Sequence, residues 1–444
     1  MVRDALAGRP LPQHHVSRQR QRATCDPYNG LGEYAVVRRF VEKRHADRII
    51  DALEECRLRG MGGAGFPTFR KWDMVRKAPS SPKYIVCNAD ESEPGTIKDR
   101  FIMENLPHLV VEGMIVAGLV TGAKKGILYI RHEYENSRDI LQEEIDRCYR
   151  DGILGPRVLN SELGFDLEIF VSPGGYICGE ESALLEAIEG KRAEPRNKPP
   201  FPVLNGLWNQ PTVLNNVETF CLATAILARE KDAQEGVKWY TSQGTNASLG
   251  VKFVGISGDV VRPGIFEVPM GTTYDDLIFQ YAGGIQDGKK LLAFAPSGPS
   301  SGYLPASKTS LPLDWDKVAE AGSMVGSGAI VVCAEGRCML DMALNATRFY
   351  RNESCGKCVP CRMGSQKLVE MLKGWTEGRS SKDDMPMLEE LSTAMRLASI
   401  CGLGQVVPVP IASILKHFPS VVEDHLVRRR CPGDVCFSQP ARTA

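Results

Sequence analysis

The chain has 444 residues, 43% of them hydrophobic and 24% charged, a composition typical of an ordinary globular protein with about two to four domains. Lysine plus arginine equals aspartate plus glutamate at 54 each, which excludes the basic field that draws nucleic acid to a protein. The most apolar stretch, 109–130, is interrupted by Glu112, Lys124 and Lys125, so it indicates a buried helix and strand and excludes a transmembrane helix.

Residues 1–32 are predicted to form an N-terminal arm. The first 22 residues are basic and contain no apolar run, so they fit neither a secretory signal nor a membrane anchor. In a reducing cytoplasm, unpaired cysteines are mostly buried apolar side chains or metal ligands. Of the 14 cysteines, we interpret six as structural: Cys25, Cys56, Cys87, Cys148, Cys178 and Cys221.

Residues 33–240 are predicted to form a layered α/β domain. Apolar strand-like runs at 84–87 and 126–130 alternate with helical patterns at 135–149 and 182–189. Glycine and proline cluster where the strands should end. In folds of this class ligands bind at the ends of the strands, so the glycine-rich segments are candidate sites.

The glycine-rich segment 60–68 is followed by Lys71. It contains the pattern G-x-G-x-x-G, but no strand precedes it, so the usual dinucleotide fingerprint is not met. Backbone N–H groups of such a loop can approach an anionic oxygen, and Lys71 adds positive charge. We interpret the segment as a phosphate loop, with a tight structural turn as the alternative.

An acidic segment, 87–95, follows the first predicted strand. Asp90, Glu91 and Glu93 would repel one another unless they were hydrogen-bonded or spread around a ligand. Hydroxyl-rich ligands such as ribityl or ribose chains suit these acceptors. The alternative is a solvated acidic turn.

Three further segments carry weaker signals. In 174–182, glycines end a strand and open a helix whose N-terminus attracts anions, although Glu180 and Glu181 also suit the helix dipole. In 192–202, a proline-stiffened loop offers Lys198 to a phosphate and Phe201 to a ring. In 215–219, a polar cluster opens an apolar helix.

The rest of the chain divides into two regions with different predicted secondary structure. Residues 250–332 are predicted to form a small α+β unit that begins with a hairpin over 251–268. Residues 338–425 are predicted to form a bundle of four helices, at 339–350, 365–375, 387–397 and 410–418.

Cys355, Cys358 and Cys361 form a C-x2-C-x2-C run between the first two of these helices. Three thiolates so close along a turn can converge on one face of a cubane iron–sulfur cluster, whereas zinc sites usually pair two separated C-x2-C knuckles. The fourth ligand must come from elsewhere, and the candidates are Cys401, Cys333, Cys338, Cys431 and Cys436. We prefer Cys401, because it follows an amphipathic helix and precedes glycines that allow the backbone to approach the sulfur.

Together, over about residues 33–423, these segments resemble the family of NADH-oxidising flavoprotein subunits of respiratory complex I. That family includes the diaphorase subunits of soluble NAD-linked formate dehydrogenases and hydrogenases. The resemblance implies an α/β fold class with a Rossmann-like FMN/NADH domain, followed by a ubiquitin-like β-grasp unit over 250–332. A C-terminal four-helix bundle over 338–425 then carries one [4Fe–4S] cluster, and a tail covers 426–444.

The resemblance also implies the site residues, with no catalytic side chain because FMN carries the hydride transfer. For FMN they are Gly60, Gly62, Gly63, Lys71, Asn88, Asp90, Glu91, Tyr176, Gly179, Glu180, Asn215, Asn216 and Thr219. For NAD(H) they are Phe66, Glu93, Glu181, Lys198 and Phe201, and for the cluster Cys355, Cys358, Cys361 and Cys401. Met61 stands where complex I members usually have arginine, so a lost phosphate contact is expected to weaken FMN binding or change its neighbours. Phe69 stands where they usually have glycine.

The implied function is that of an NADH dehydrogenase flavoprotein subunit of the NADH-quinone oxidoreductase type. Hydride passes from NADH to FMN, then single electrons pass to the cluster and a partner subunit, and ultimately to quinone. The implied partner is a thioredoxin-like [2Fe–2S] subunit. The chain is expected in the cytoplasm or peripheral to the inner face of the cell membrane, and in contact with the membrane only through other subunits.

Two alternatives remain open. The surroundings of Lys357 and the segment 400–405 favour a diaphorase subunit of a soluble NAD-dependent formate dehydrogenase or NAD-reducing hydrogenase. The non-enzymatic alternative is a zinc-stapled binding protein without flavin.

Overall fold

The computed structural model describes residues 28, 31, 33–229, 234–379 and 382–437. Most of the predicted arm, including Cys25, and the end of the predicted tail lie outside the described residues.

A four-stranded parallel sheet organises the first half of the chain. Its strands are β1 (Tyr84–Ala89), β2 (Lys125–Arg131), β3 (Asp166–Ser172) and β4 (Thr212–Asn216), in the order β3-β2-β1-β4. The helices of this half are α1 (Ala35–Lys43), α2 (Ala46–Glu55), α3 (Thr68–Lys77), α4 (Lys98–Asn105), α5 (Pro107–Thr121), α6 (Glu135–Arg150), α7 (Glu181–Ile188), α8 (Pro202–Asn205), α9 (Val217–Ala228) and α10 (Glu235–Thr241). The middle of β2 is buried throughout, as expected of a parallel strand with both faces covered.

The strand order reverses between β1 and β4. The chain adds β2 and β3 on one side of β1 and then returns to place β4 on its other side. The register pairs Asn88 of β1 with Asn216 of β4, and Cys87 with Asn215. Ligands of open α/β sheets bind at the carboxyl ends of strands that flank such a reversal, so the sheet gathers polar residues where a ligand is expected.

The second unit contains a mixed five-stranded sheet. Its strands are β5 (Val251–Gly258), β6 (Gly264–Pro269), β7 (Leu291–Ala295), β8 (Leu304–Pro305) and β9 (Ala329–Ala334), in the order β6-β5-β9-β7-β8. β5 and β6 form the predicted antiparallel hairpin, and β5 also pairs with β9 in parallel. One turn of π-helix (Asp276–Tyr281) and α11 (Trp315–Glu320) complete the unit.

The C-terminal part, from residue 339 onward, is helical where it is described. Its helices are α12 (Met339–Glu353), α13 (Val359–Thr376), α14 (Met385–Ala398), α15 (Gly402–Val406), α16 (Val409–His417) and α17 (Pro419–Leu426). The four predicted helices are present, and the short α15 and α17 were not predicted. Helix α13 begins six residues before the predicted start, because Pro360 in the first turn needs no intrahelical hydrogen bond.

In the part of the chain that the structure describes, no single helix is both long and apolar enough to cross a membrane. Helices α4 and α5 satisfy the length and composition criteria only as a pair, and they meet at a bend of 93°.

Candidate functional site

The glycine loop 60–65 lies between the reversal point of the first sheet and the second unit. Its Met61 backbone N–H donates to Thr219 Oγ1 over 2.9 Å. A Cβ added to Gly62 would lie 3.0 Å from the Asn216 Cβ, and Gly63, with φ of +126°, approaches the backbone of Gly326. Gly62 therefore allows close packing against Asn216, and the positive φ at position 63 favours glycine there.

The side chain of Met61 is buried, with 1% of its surface exposed. Its Sδ lies 3.9 Å from Lys252 Nζ, which also makes a 3.1 Å ion pair with Glu218. Position 61 thus supplies no charge to a ligand, and a buried lysine of the second unit lies beneath the loop instead.

In the acidic segment, Asp90 is the residue with spare hydrogen-bonding capacity. Asn88 Nδ2 donates to the Gly179 carbonyl over 2.8 Å, and a Cβ added to Gly179 would lie 3.1 Å from Asp90 Oδ2. Asp90 Oδ1 is buried and has no hydrogen-bond partner among the described residues. Burial raises the pKa of Asp90 to about 6, so the carboxyl suits a ligand that donates a hydrogen bond to it.

The other two acidic side chains of this segment have protein partners. Glu91 accepts backbone hydrogen bonds from Asp99 and Arg100 at the start of α4, over 2.8 and 3.1 Å. Burial raises its pKa to about 7. Glu93 accepts from the Ser300 backbone N–H over 2.9 Å and from the Tyr350 hydroxyl over 3.3 Å. Glu93 therefore joins all three units of the chain.

The segment 174–182 provides a helix cap, and the proline-stiffened loop 192–202 places a cationic side chain beside it. Glu180 caps α7 by accepting from the backbone N–H groups of Ser182 and Ala183, each over 2.9 Å. Lys198 Nζ lies 2.8 Å from Glu180 Oε1 and 2.5 Å from Glu181 Oε1. Although burial lowers the pKa of Lys198, the two carboxylates raise it overall, so the ammonium group stays charged.

Lys71 and two aromatic rings border the same region. Lys71 Nζ donates to the Leu214 carbonyl over 2.7 Å and lies 6.0 Å from the centre of the Phe66 ring. Burial lowers the pKa of Lys71. Phe66 and Phe201 are 44% and 53% exposed, which leaves two aromatic faces accessible to a planar ligand.

The two asparagines at the end of β4 are held by buried groups. Asn215 Oδ1 accepts from Trp72 Nε1 over 2.9 Å. Asn216 Oδ1 accepts from the Glu218 backbone N–H over 3.0 Å and so caps α9. Below them lies a buried cluster of charged side chains, Lys98, Asp99, Glu218 and Lys252. The sequence analysis missed this cluster, because no local pattern shows that these charges are buried.

Cys355, Cys358, Cys361 and Cys401 line one small cavity together with Ile177 and Pro195. A Cβ added to Gly404, three residues after Cys401, would lie 2.8 Å from the Cys361 Cβ, so glycine at this position permits the close approach. Burial raises the pKa of the Cys361 thiol to about 11, and a bound metal cluster would hold it as the thiolate.

The cysteine run contacts the proline-stiffened loop directly. Lys357 Nζ donates to the Pro195 carbonyl and Arg192 Nη2 to the Cys355 carbonyl, each over 2.7 Å. Cys333, a buried candidate near the end of β9, does not line the cavity of the four cysteines. Cys338, Cys431 and Cys436 form a separate group with His425.

Three regions of the chain match known families. Residues 53–225 match the Nuo51 FMN-binding domain, residues 253–304 the SLBB domain, and residues 341–425 the NADH-ubiquinone oxidoreductase-F iron-sulfur binding region. These matches confirm the expected FMN and [4Fe–4S] cofactors.

Curated relatives and a solved structure cover most of the chain. The F 2 subunit of NADH-quinone oxidoreductase of Rhizobium meliloti is 40% identical, over 91% of this chain and 95% of the relative. The HndC subunit of the NADP-reducing hydrogenase of Solidesulfovibrio fructosivorans is 39% identical, over 93% and 83%. A crystal structure of NAD+-reducing [NiFe]-hydrogenase matches with a TM-score of 0.81 and 34% sequence identity. The match covers 91% of this chain and 66% of the hydrogenase chain.

The likeness covers both the FMN-binding half and the iron–sulfur region, and it confirms the expected fold class and the oxidoreductase class. The chain belongs to the family of NADH dehydrogenase flavoprotein subunits, which includes the F subunits of NADH-quinone oxidoreductases.

Proposed function

We propose that this chain takes electrons from NADH and delivers them singly, through one [4Fe–4S] cluster, to a partner subunit. One observation carries the proposal: the turn at 176–180 belongs to both halves of the site. Its Gly179 contacts Asn88 and Asp90 at the reversal point, while its Ile177 lines the cavity of the four cysteines. The proposed flavin site and the proposed cluster site are therefore neighbours.

The contacts at the reversal point support an FMN site. The glycine loop offers its backbone to a phosphate, with Lys71 nearby, and Asp90 has a buried oxygen without a partner among the described residues, which suits a ribityl hydroxyl. The proposed set is Gly60, Gly62, Gly63, Lys71, Asn88, Asp90, Glu91, Tyr176, Gly179, Glu180, Asn215, Asn216 and Thr219. When bound, FMN would supply acceptance of a hydride and release of electrons one at a time.

For NADH, the side chains of the proposed set supply orientation. Phe66 and Phe201 offer exposed rings for stacking, and Lys198 offers a charged ammonium group for the diphosphate. Glu181 holds that ammonium group in place. Glu93 completes the proposed set, although its carboxylate has protein donors in this structure.

The four cysteines of the cavity are the proposed cluster ligands. Cys355, Cys358 and Cys361 come from one turn and the start of α13, and Cys401 comes from the start of α15. Ile177, Pro195 and Leu403 also line the cavity, and this apolar wall would limit access of water to a bound cluster.

The proposed domains are the arm 1–32, the FMN/NADH domain 33–240, the β-grasp domain 250–332, the cluster domain 338–425 and the tail 426–444. The three family-matched regions fall inside the three central ones. The proposed partner that receives the electrons is a thioredoxin-like [2Fe–2S] subunit, and the proposed final acceptor is quinone. The proposed location of this chain is the cytoplasm or the periphery of the inner face of the cell membrane. The alternative, a diaphorase subunit of a soluble hydrogenase or formate dehydrogenase, is favoured by the likeness to HndC and to the NAD+-reducing hydrogenase.

Anaerobic titration of the full chain with NADH tests the central proposal. Visible absorbance should show flavin reduction followed by cluster reduction. In Cys358→Ala the cluster should be absent while NADH still reduces the flavin. A colourless protein that holds zinc but neither flavin nor iron would refute the proposal and support the zinc-stapled alternative.

Purification of the native assembly separates the parent complexes. Retention of a [2Fe–2S] subunit and membrane subunits with NADH-dependent quinone reduction supports the NADH-quinone oxidoreductase assignment. Retention of a nickel or molybdenum enzyme supports the diaphorase alternative.

A further inference from the structure

Four metal-binding side chains that the electron path does not use converge at the end of the bundle. Cys338, His425, Cys431 and Cys436 place their ligand atoms within 4.8 Å of one another. Cys338 precedes α12, His425 lies in the last turn of α17, and the two other cysteines follow in the segment 427–437. Cys338, His425 and Cys436 are buried, and Cys431 is partly exposed.

The spacing of the atoms fits one tetrahedral ion. A tetrahedral zinc ion separates two thiolates by about 3.8 Å, and a thiolate from an imidazole nitrogen by about 3.6 Å, given its usual bond lengths. The Cys338 Sγ lies 3.7 Å from the Cys436 Sγ and 3.5 Å from His425 Nε2. The two sulfurs are too far apart for a disulfide, and the three cysteines of the group are free.

The histidine is oriented as a metal ligand. Its Nδ1 lies 2.7 Å from the Val421 carbonyl oxygen. Because a carbonyl only accepts, Nδ1 carries a hydrogen, and Nε2, which lies on the side of Cys338, is the nitrogen that the neutral ring leaves free to bind a metal. A backbone carbonyl that fixes the tautomer in this way is the usual outer partner of a histidine bound to zinc.

We propose that Cys338, His425, Cys431 and Cys436 bind one structural zinc ion that fastens the segment 427–437 to the start of α12. The chain adapts its backbone to this contact, since a Cβ added to Gly433 would lie 2.7 Å from the Cys338 backbone nitrogen. Four protein ligands leave no open position, so the ion stabilises the fold and takes no part in catalysis. Of the four, only His425 falls inside the matched iron–sulfur region, 341–425.

Metal analysis of the full chain with its cofactors tests this assignment. Wild-type protein should hold about one zinc per chain beside about four irons, and dialysis against EDTA should not remove the zinc. Cys431→Ser, at the most accessible ligand, should lose the zinc and keep the iron and the flavin. The matched control is Cys333→Ser, a buried cysteine five residues before Cys338, which should keep both metals.

X-ray absorption at the zinc edge needs no variant, so it applies even if Cys431→Ser fails to fold. It should show three sulfur ligands at about 2.3 Å and one nitrogen at about 2.0–2.1 Å. Four outcomes would overturn the proposal: no zinc in the wild type, zinc lost to EDTA as an adventitious ion, zinc retained in Cys431→Ser, or iron in place of zinc at this site. None of these results depends on NADH oxidation, so they leave the proposed function untouched.

Discussion

The side-chain amide of Asn216 donates a 2.6 Å hydrogen bond to the Asp99 carboxylate, which ties the proposed FMN site to a buried cluster of charges. Lys98 lies 2.6 Å from Asp99 and 2.9 Å from Glu218. Lys252 forms an ion pair with the same carboxylate of Glu218. Two cations and two anions thus compensate one another beneath the glycine loop, and the same cluster orients Asn216, which caps α9.

Removal of one anion from this cluster should be costly. In Glu218→Gln, two buried lysines share a single carboxylate, and burial already lowers the pKa of Lys252. We expect a loss of about 3–5 kcal/mol in the free energy of unfolding and a lower content of bound FMN. Thermal denaturation and the flavin-to-protein ratio measure the two effects.

The double variant Glu218→Gln, Lys252→Met tests whether the lost stability comes from an uncompensated charge or from altered packing. It removes the uncompensated cation, so it should recover part of the lost stability. Glu143→Gln, on an exposed position of α6, is the control and should resemble the wild type. A double variant no more stable than the single one would contradict this explanation.

Lys198 should act in NADH binding more than in turnover. Glu180 and Glu181 hold its ammonium group, and Lys198→Gln removes the charge while keeping a long polar side chain. We expect KM for NADH to rise about tenfold, with kcat changed much less, because a diphosphate contact would be made equally in the ground and transition states.

Steady-state kinetics with an artificial electron acceptor measure this effect. The control is Lys191→Gln, which removes an exposed lysine that pairs with Glu189 just before the proline-stiffened loop. An unchanged KM in Lys198→Gln would exclude the assigned role.

Cys401 is the predicted fourth ligand, and its loss should be specific to the cluster. Cys401→Ala should reduce the iron content from about four per chain to a small fraction and abolish the electron paramagnetic resonance signal of the reduced cluster. Flavin reduction by NADH should persist, because Cys401 lines the cysteine cavity and not the reversal point. If Cys333→Ala lost the iron and Cys401→Ala retained it, the ligand assignment would be wrong.

The sequence predicted those parts of the site whose residues lie close together along the chain. The cysteine run and the glycine loop are recognisable because their chemistry depends on residues a few positions apart. The partners of Glu93, at positions 300 and 350, come from two other units, so its acidic segment gave no sign of them. The group around His425 was missed in the same way, because Cys338 is 87 residues away from the histidine.

Glu112 should make stability fall as pH rises through the range between its unfolded and folded pKa values. Its Oε1 accepts from the backbone of Val36 over 2.8 Å, while Oε2 is buried without a partner among the described residues. Burial raises its pKa from 4.5 to about 7. The folded state therefore holds this proton more tightly than the unfolded state, and its stabilising effect, complete below pH 4.5, is lost as pH rises through 7.

Glu112→Gln keeps the oxygen that accepts from α1 and cannot ionise. The free energy of unfolding of the variant, relative to that of the wild type, should increase by about 1–3 kcal/mol between pH 5 and pH 8. The Tm of the variant should therefore increase relative to that of the wild type over this range. Thermal denaturation across this range measures the difference, with Glu143→Gln as the exposed control. A Tm difference that stays constant with pH would mean that the folded and unfolded states bind this proton equally, so folding would not raise the pKa of Glu112.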